Sequence, residues 1–228
     1  MILPKNSIKY LLLQRTSYLK NNQLAKILNA VPFYQLSVGL KARLLTSPIR
    51  QEFNQDMLDE FSSLKPFLPA AANSILDIGC GLAGIDVLIS QHYQNQIEIF
   101  LLDKTSTDKK IYYHFNQKGS FYNSLPLAKK ILEINGVDSN KIHLQEATDD
   151  NKIEFPGTFD IIISLISWGY HYPAATYLEP AYQKLNPGGA LILDIRKNTG
   201  GEKEIAEKFG SYQVISKTEK SIRILANK

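Results

Sequence analysis

The chain has 228 residues, 44% of them hydrophobic and 21% charged. This is enough for one sizeable core and a small appended element. No apolar run approaches the roughly 20 residues that cross a bilayer, so no transmembrane segment is expected. The single cysteine, Cys80, excludes an intramolecular disulfide, and no Cys/His set has zinc spacing, so no metal site is expected. A reducing, cytoplasmic compartment is the expectation.

The net charge of +4 is unevenly spread. Residues 1–51 carry eight basic side chains and no acid, leaving 18 basic and 22 acidic residues beyond them. Such a segment suits an anionic partner such as phosphate, nucleic acid or a membrane surface, or else a solvated helical face packed on an acidic body. The opening MILPKNSIKYLLLQRTSYLK has no long apolar stretch followed by small residues, so it reads poorly as a secretory signal. Its basic, acid-free character also resembles a transit peptide, although its low serine content counts against that.

In chain order, residues 7–29 place Ile8, Leu11, Leu12, Tyr18, Leu19 and Ile27 at helical spacing, with Asn29 and Pro32 as the stop. A second helix is expected over Ser47–Leu64, with Ser47 as N-cap and Pro48 in the first helical position. Two prolines in LKPFLPAAAN then mark a change of pattern. A domain boundary is placed there: residues 1–66 form a basic helical cap and residues 67–228 the main domain.

From residue 74 strands and helices alternate. SILDIG, IEIFLLD (97–103), KIHLQEA (141–147), FDIIISLI (159–166) and GALILDIR (189–196) are short apolar strands. Residues 84–93, 123–137, 176–185 and 202–210 read as helices, with NPGG a turn after the third. Near-continuous apolar strands are buried on both faces, which predicts a parallel sheet with helices on each side, an α/β fold. The tail differs: SYQVIS and SIRILAN, joined by KTEK, predict an antiparallel hairpin.

Between the first strand and its helix, Gly79, Gly81 and Gly84 form G-x-G-x-x-G. Such a turn lets a ligand approach the backbone and aims helix N–H groups at it. The pattern alone would equally suit a dinucleotide or a bare strand–helix junction. Asp77 adds information, because a carboxylate at the end of a buried strand is expensive unless it is hydrogen-bonded or faces a cation. Asp103 ends the second strand, 24 residues after Gly79. A ribose-binding acid is expected about 20 residues on.

These residues together resemble the class I S-adenosylmethionine-dependent methyltransferases. The resemblance covers about three-quarters of the chain, roughly residues 67–228. LDIGCGLAG is similar to that family's first motif, IFLLD to its second, LQEATDD to its third, FDIIISLISWGYHYP to its fourth, and LNPGGALILDIR to the segment that follows. The resemblance implies a doubly wound, seven-stranded, mostly parallel sheet whose last-numbered strand is antiparallel, and S-adenosylmethionine as cofactor. It places Asp77, Gly79, Cys80 and Gly81 at the glycine turn, Asp103 and Lys104 at the ribose, Glu146 and Ala147 at the adenine, and Ser164 and Leu165 at the end of the fourth strand. Cys80 reads as a small residue in a tight place rather than as a nucleophile.

Ligands in this architecture meet at the C-terminal strand ends. His171 is the candidate base, with Tyr170 and Tyr172 beside it, and Trp168 lines the acceptor pocket. A histidine packed in the pocket wall is the competing account of His171. The connection 104–125 is long and carries Tyr112, Tyr113, Phe121 and Tyr122 among lysines. An inserted aromatic and basic loop of this kind suits a sugar ring, a nucleobase or a phosphate. The expected function is methyl transfer to a small-molecule acceptor, O-methylation of a sugar-, glycan- or sugar-phosphate-like hydroxyl in the leading version. The alternatives are an RNA methyltransferase and a non-catalytic S-adenosylmethionine-binding module. The sequence leaves the oligomeric state open.

Overall fold

The structure, a computed structural model, describes residues 1–15, 18, 46–106, 115 and 123–228. Short helix α1 (Ile8–Gln14) and the long α2 (Thr46–Leu64) precede the sheet. Strand β1 (Ser74–Ile78), α3 (Gly84–His92), β2 (Glu98–Asp103), α4 (Leu125–Ile134), β3 (Ile142–Glu146) and β4 (Phe159–Ser164) then alternate. An extended segment β5 (Ser167–Tyr172), α5 (Ala175–Lys184), β6 (Leu185–Arg196), α6 (Gly201–Phe209), β7 (Gln213–Lys217) and β8 (Ser221–Asn227) complete the chain.

Seven strands form one sheet in the order β3-β2-β1-β4-β6-β8-β7. The pairs from β3 through β6 are parallel, whereas β8 is antiparallel to both β6 and β7. This is the expected sheet, with the last strand reversed between its neighbours. Alternate side chains go to opposite faces, as a two-residue period requires. Ile75, Ile161, Ile163 and Ile192 join one apolar cluster with α1, α2, α3 and α4. Leu76, Ile162, Leu191 and Leu193 join the other, with α5 and α6. Leu3 and Ile8 belong to the first cluster, so the N-terminal helices and the sheet share one continuous core.

Several local expectations shift. Of the helix expected over 7–29, the described part is α1, and the remainder lies outside the described residues apart from Arg15 and Tyr18. Ser47 does not cap α2 but sits inside its first turn, because the helix already runs from Thr46. The sequence NPGG is not a free turn: β6 begins at Leu185 and runs through it. Gly188 N–H donates to the Lys228 carbonyl and Lys228 N–H to that of Gly189, so the chain's last residue recruits the glycines into the ladder. Residues 167–172, read as the tail of the fourth strand, fold back as the separate segment β5.

A buried ion network links the cap to the tail. Arg223 on β8 donates from Nε to Asp194 Oδ1 at 2.7 Å and from Nη2 to Asp194 Oδ2 at 2.8 Å. The same Nη2 reaches Glu60 Oε1 of α2 at 2.9 Å. Glu60 also receives Arg15 Nη2 at 3.2 Å, just beyond the end of α1. Removing one partner of a buried pair leaves an uncompensated charge and typically costs about 3–5 kcal/mol. Arg223→Leu is therefore expected to lower unfolding stability by about that amount in a urea titration. A loss below about 1 kcal/mol would mean that the network is solvated rather than buried.

Candidate functional site

The strand order reverses between β1 and β4, and the crevice at their C-terminal ends is where such sheets bind ligands. A cavity of about 370 Å³ opens there. One wall is the glycine turn. Gly79 has φ +80°, and a Cβ built on it would stand 1.9 Å from Ser167 Oγ. Only glycine fits, because the turn is left-handed and β5 presses on it. At Gly84 the constraint is contact: a Cβ would lie 2.5 Å from Phe53 Cζ of α2. Helix α2 is thus seated directly on the turn.

Four carboxyls line this cavity, Glu60, Asp77, Asp103 and Asp149, and the two beside the glycine turn differ. Asp103 is well supplied with donors: Gly81 N–H at 2.8 Å, Lys104 N–H at 2.7 Å and Asn123 Nδ2 at 2.9 Å. Burial raises its pKa to about 6, and those three donors hold it from rising further. Asp77 is 3% exposed. No donor among the described residues makes a well-formed hydrogen bond to its Oδ1 or to either oxygen of Asp86. Asp86, in the first turn of α3, is fully buried behind it and within hydrogen-bonding reach. Burial, and then the Asp86 charge, push Asp77 well above the usual carboxylate range. Burial raises Asp86 to about 7, with the Asp77 contact pulling the other way.

The opposite wall comes from the segment after β4 and from α5: Leu165, Ile166, Ser167, His171, Tyr172 and Tyr177. Burial holds the Tyr172 hydroxyl far above its ordinary pKa, with the neighbouring Tyr177 adding to the shift, so it remains protonated. Ile166 has φ +52°, a costly conformation for a β-branched residue. Its N–H donates to Asp194 Oδ2 at 3.1 Å, which ties the strained turn to the buried ion network.

Of the residues singled out in the sequence, Asp77, Gly79, Cys80, Gly81, Asp103, Lys104, Ala147, Leu165, His171 and Tyr172 line this one cavity. Four do not. Glu146 turns away, accepting from Thr105 N–H at 2.7 Å, and Ala147, Thr148 and Asp149 form the edge instead. Ser164 is fully buried, its Oγ donating to the Ile78 carbonyl at 2.6 Å and accepting from Trp168 N–H. Trp168 is a core residue at 0% exposure, with Nε1 donating to the Ala174 carbonyl. Tyr170 stacks under Arg196, 5.0 Å from its guanidinium carbon, away from the cavity. Tyr112, Tyr113, Phe121 and Tyr122 lie outside the described residues. Reading the sequence missed Asp86, Asn123 and the cap residues Arg15, Phe53, Met57 and Glu60. Asp86 had a visible signal, an acid in an otherwise apolar helix start.

No family model matches the sequence, and a search of the curated proteins finds no match. Solved structures do match. An O-methyltransferase family protein from Burkholderia thailandensis is 15% identical over 96% of this chain and 71% of its own, with a TM-score of 0.54. A methyltransferase from Pyrococcus furiosus is 20% identical over 75% and 82% respectively, with a TM-score of 0.50. A T. thermophilus 16S rRNA N2 methyltransferase, solved with AdoMet and guanosine, is 20% identical over 77% of this chain and 42% of its own, with a TM-score of 0.51. The fold is that of the class I S-adenosylmethionine-dependent methyltransferases. The same methyltransferase fold thus appears in proteins described by quite different acceptors.

Gly79→Ala is expected to cost about 1–3 kcal/mol of stability through backbone strain and the clash with Ser167. Adding Ser167→Gly removes the clash but not the strain. Recovery in the double variant should therefore be partial when urea midpoints are compared. Full recovery would show that φ at position 79 costs nothing.

Proposed function

We propose that the chain is an S-adenosylmethionine-dependent methyltransferase. Its residues 1–66 act as a cap, and its acceptor is a small molecule methylated on a hydroxyl. The observation that carries this reading is one cavity with a glycine turn, a donor-poor buried carboxyl and a donor-rich one on one side, and His171 and Tyr172 on the other. The cofactor supplies a methyl group activated by a positive sulfur.

The chain's own residues then have distinct tasks. Asp77 Oδ1, which has no donor among the described residues, suits an ammonium group, and a pyrophosphate would be repelled there. Asp103, held ionised by backbone N–H groups and Asn123, suits a pair of ribose hydroxyls. Phe53, Met57 and Leu165 exclude water, and alignment within such an enclosed site can contribute about 7–11 kcal/mol. His171 is the candidate base, since an imidazole is the side chain whose ordinary titration lies near neutrality. Tyr172, kept protonated, can donate a hydrogen bond to the acceptor but not remove its proton. Enclosure by α1 and α2 favours a small acceptor. The basic first 51 residues keep an RNA acceptor as the second reading.

Calorimetric or thermal-shift titration with S-adenosylmethionine, its demethylated product and NAD tests the cofactor. At 100 times its Kd a ligand adds about 2.7 kcal/mol, or about 5–10 °C for a chain of this size. Stabilisation by both adenosyl compounds and not by NAD is expected, and stabilisation by NAD alone would end this reading. Asp103→Ala should weaken binding by roughly 10–100-fold, the value of charge-assisted bonds worth about 1.5–3 kcal/mol. His171→Ala should leave cofactor affinity within about twofold and abolish turnover. Unchanged turnover would assign His171 to the wall, and binding without turnover in the parent chain would favour a non-catalytic module. Affinity for RNA that falls steeply with salt would favour the nucleic-acid acceptor.

A further inference from the structure

Asp86 is not explained by the site as described so far. It is fully buried, does not line the cavity, and is in side-chain contact with Asp77, whose Oδ1 has no donor among the described residues. Two adjacent acids cannot both ionise cheaply in a dry site, so they share a proton. The groups around them reinforce this. Glu60 from α2 and Asp103 from β2 face Asp77 with like charge. The described cations on the cavity wall are engaged elsewhere: Arg15 with Asp56 and Glu60, and Lys104 with Asp149 at 4.0 Å. Among the described residues, Cys80, His171, Tyr172 and Tyr177 are the other titratable groups there, and burial holds Cys80 and both tyrosines protonated.

We propose that Asp86 is a positioning residue for Asp77: it shares one proton with the Asp77 carboxyl in the unliganded protein and yields that proton to solvent when a cationic ligand reaches Asp77. The pair then goes from one negative charge to two, facing the ligand's positive charge, and one proton is released per ligand bound. The cavity thereby carries one negative charge fewer when unliganded yet presents a full carboxylate to an ammonium. A role for Asp86 limited to the N-terminal dipole of α3 predicts no such release. The inference rests on the proposed cofactor, whose amino group is the cation.

The sign follows from linkage. Protons compete with the ligand, so affinity should rise with pH by about tenfold per unit below the titration of the pair, then level off. The proton given up is the last one the pair holds, and burial with the neighbouring Asp86 charge keeps it well above the usual carboxylate range, so the rise should continue through neutrality. Calorimetry with S-adenosylmethionine in phosphate and in Tris separates binding heat from proton release. The parent chain should release about one proton near neutral pH, and the release should fall once the pH passes the titration of the last proton on the pair. Asp86→Asn supplies an amide donor to Asp77 in place of a proton. It should bind with little proton release and a flat profile from pH 5.5 to 8, and Asp86→Glu should restore the slope. His171→Asn is the control, because a protonated imidazole on the wall would give a slope of the same sign; it should keep the release. No proton release in the parent chain, or a parental slope in Asp86→Asn, would overturn the inference while leaving the cofactor assignment intact. Absence of S-adenosylmethionine binding at every pH would overturn both.

Discussion

Three carboxyls packed around one glycine turn set the terms for the rest of the structure. Asp77 and Asp86 are withdrawn from water and Asp103 is partly so, and burying a carboxylate is expensive unless something offsets its charge. Asp103 is offset by three N–H donors and sits at the end of β2, where the chain can bend to supply them. Asp77 cannot be treated the same way. It lies at the last buried turn of the central strand β1, where neighbouring N–H groups belong to the sheet. A shared proton is the remaining means of burying it. Two acids at one site thereby acquire opposite characters, an environment-driven division typical of sites that do chemistry.

The antiparallel strand β8 helps hold the wall opposite the glycine turn. The chain of contacts runs from Arg223 on β8 to Asp194 on β6, and from Asp194 to the N–H of Ile166. A left-handed isoleucine is not a conformation the local sequence would choose, and such strain persists only where surrounding structure fixes it. Glu60 joins the same arginine to the cap. Buried ion pairs are weak evidence for stability in themselves, because desolvation consumes much of the attraction. Their geometric effect is firmer: α2 and the reversed strand meet at one guanidinium, and the turn after β4 joins them through Asp194, so none can shift far without the others.

Much of this was legible in the sequence where one residue served one purpose. Apolar runs of strand length predicted the parallel sheet, and the acids ending two of them marked Asp77 and Asp103 as unlike their neighbours. The reading failed where packing reassigned a residue. Trp168 and Ser164 follow a strand's C-terminal end and look like site residues, yet the backfolding of β5 carries the indole into the core and spends the hydroxyl on backbone groups. Glu146 and Ala147 are adjacent, and the strand's alternation sends only one toward the cavity, a choice set by register and not by residue type. NPGG has the composition of a turn, but pairing with Lys228 makes it strand, a contact 40 residues distant. Asn123 gave no local signal, since its partner is the carboxylate of Asp103.

The two walls of the cavity also separate two electrostatic tasks. The β1–β2 side is acidic and close to the glycine turn, whereas the α2 and β5 sides offer Phe53, Met57, Tyr172 and His171. On the proposed reading a cation is drawn to the first side and a neutral hydroxyl meets the second. Transfer of the methyl group removes the charge from sulfur, so the acidic wall holds the product by its ammonium alone. The same wall that gathers the donor therefore holds its product less strongly, and this difference is largest where Asp77 is fully ionised. A site built from a proton-sharing pair thus ties donor capture and product release to a single carboxyl, and Asp86 sets how readily that carboxyl takes its charge.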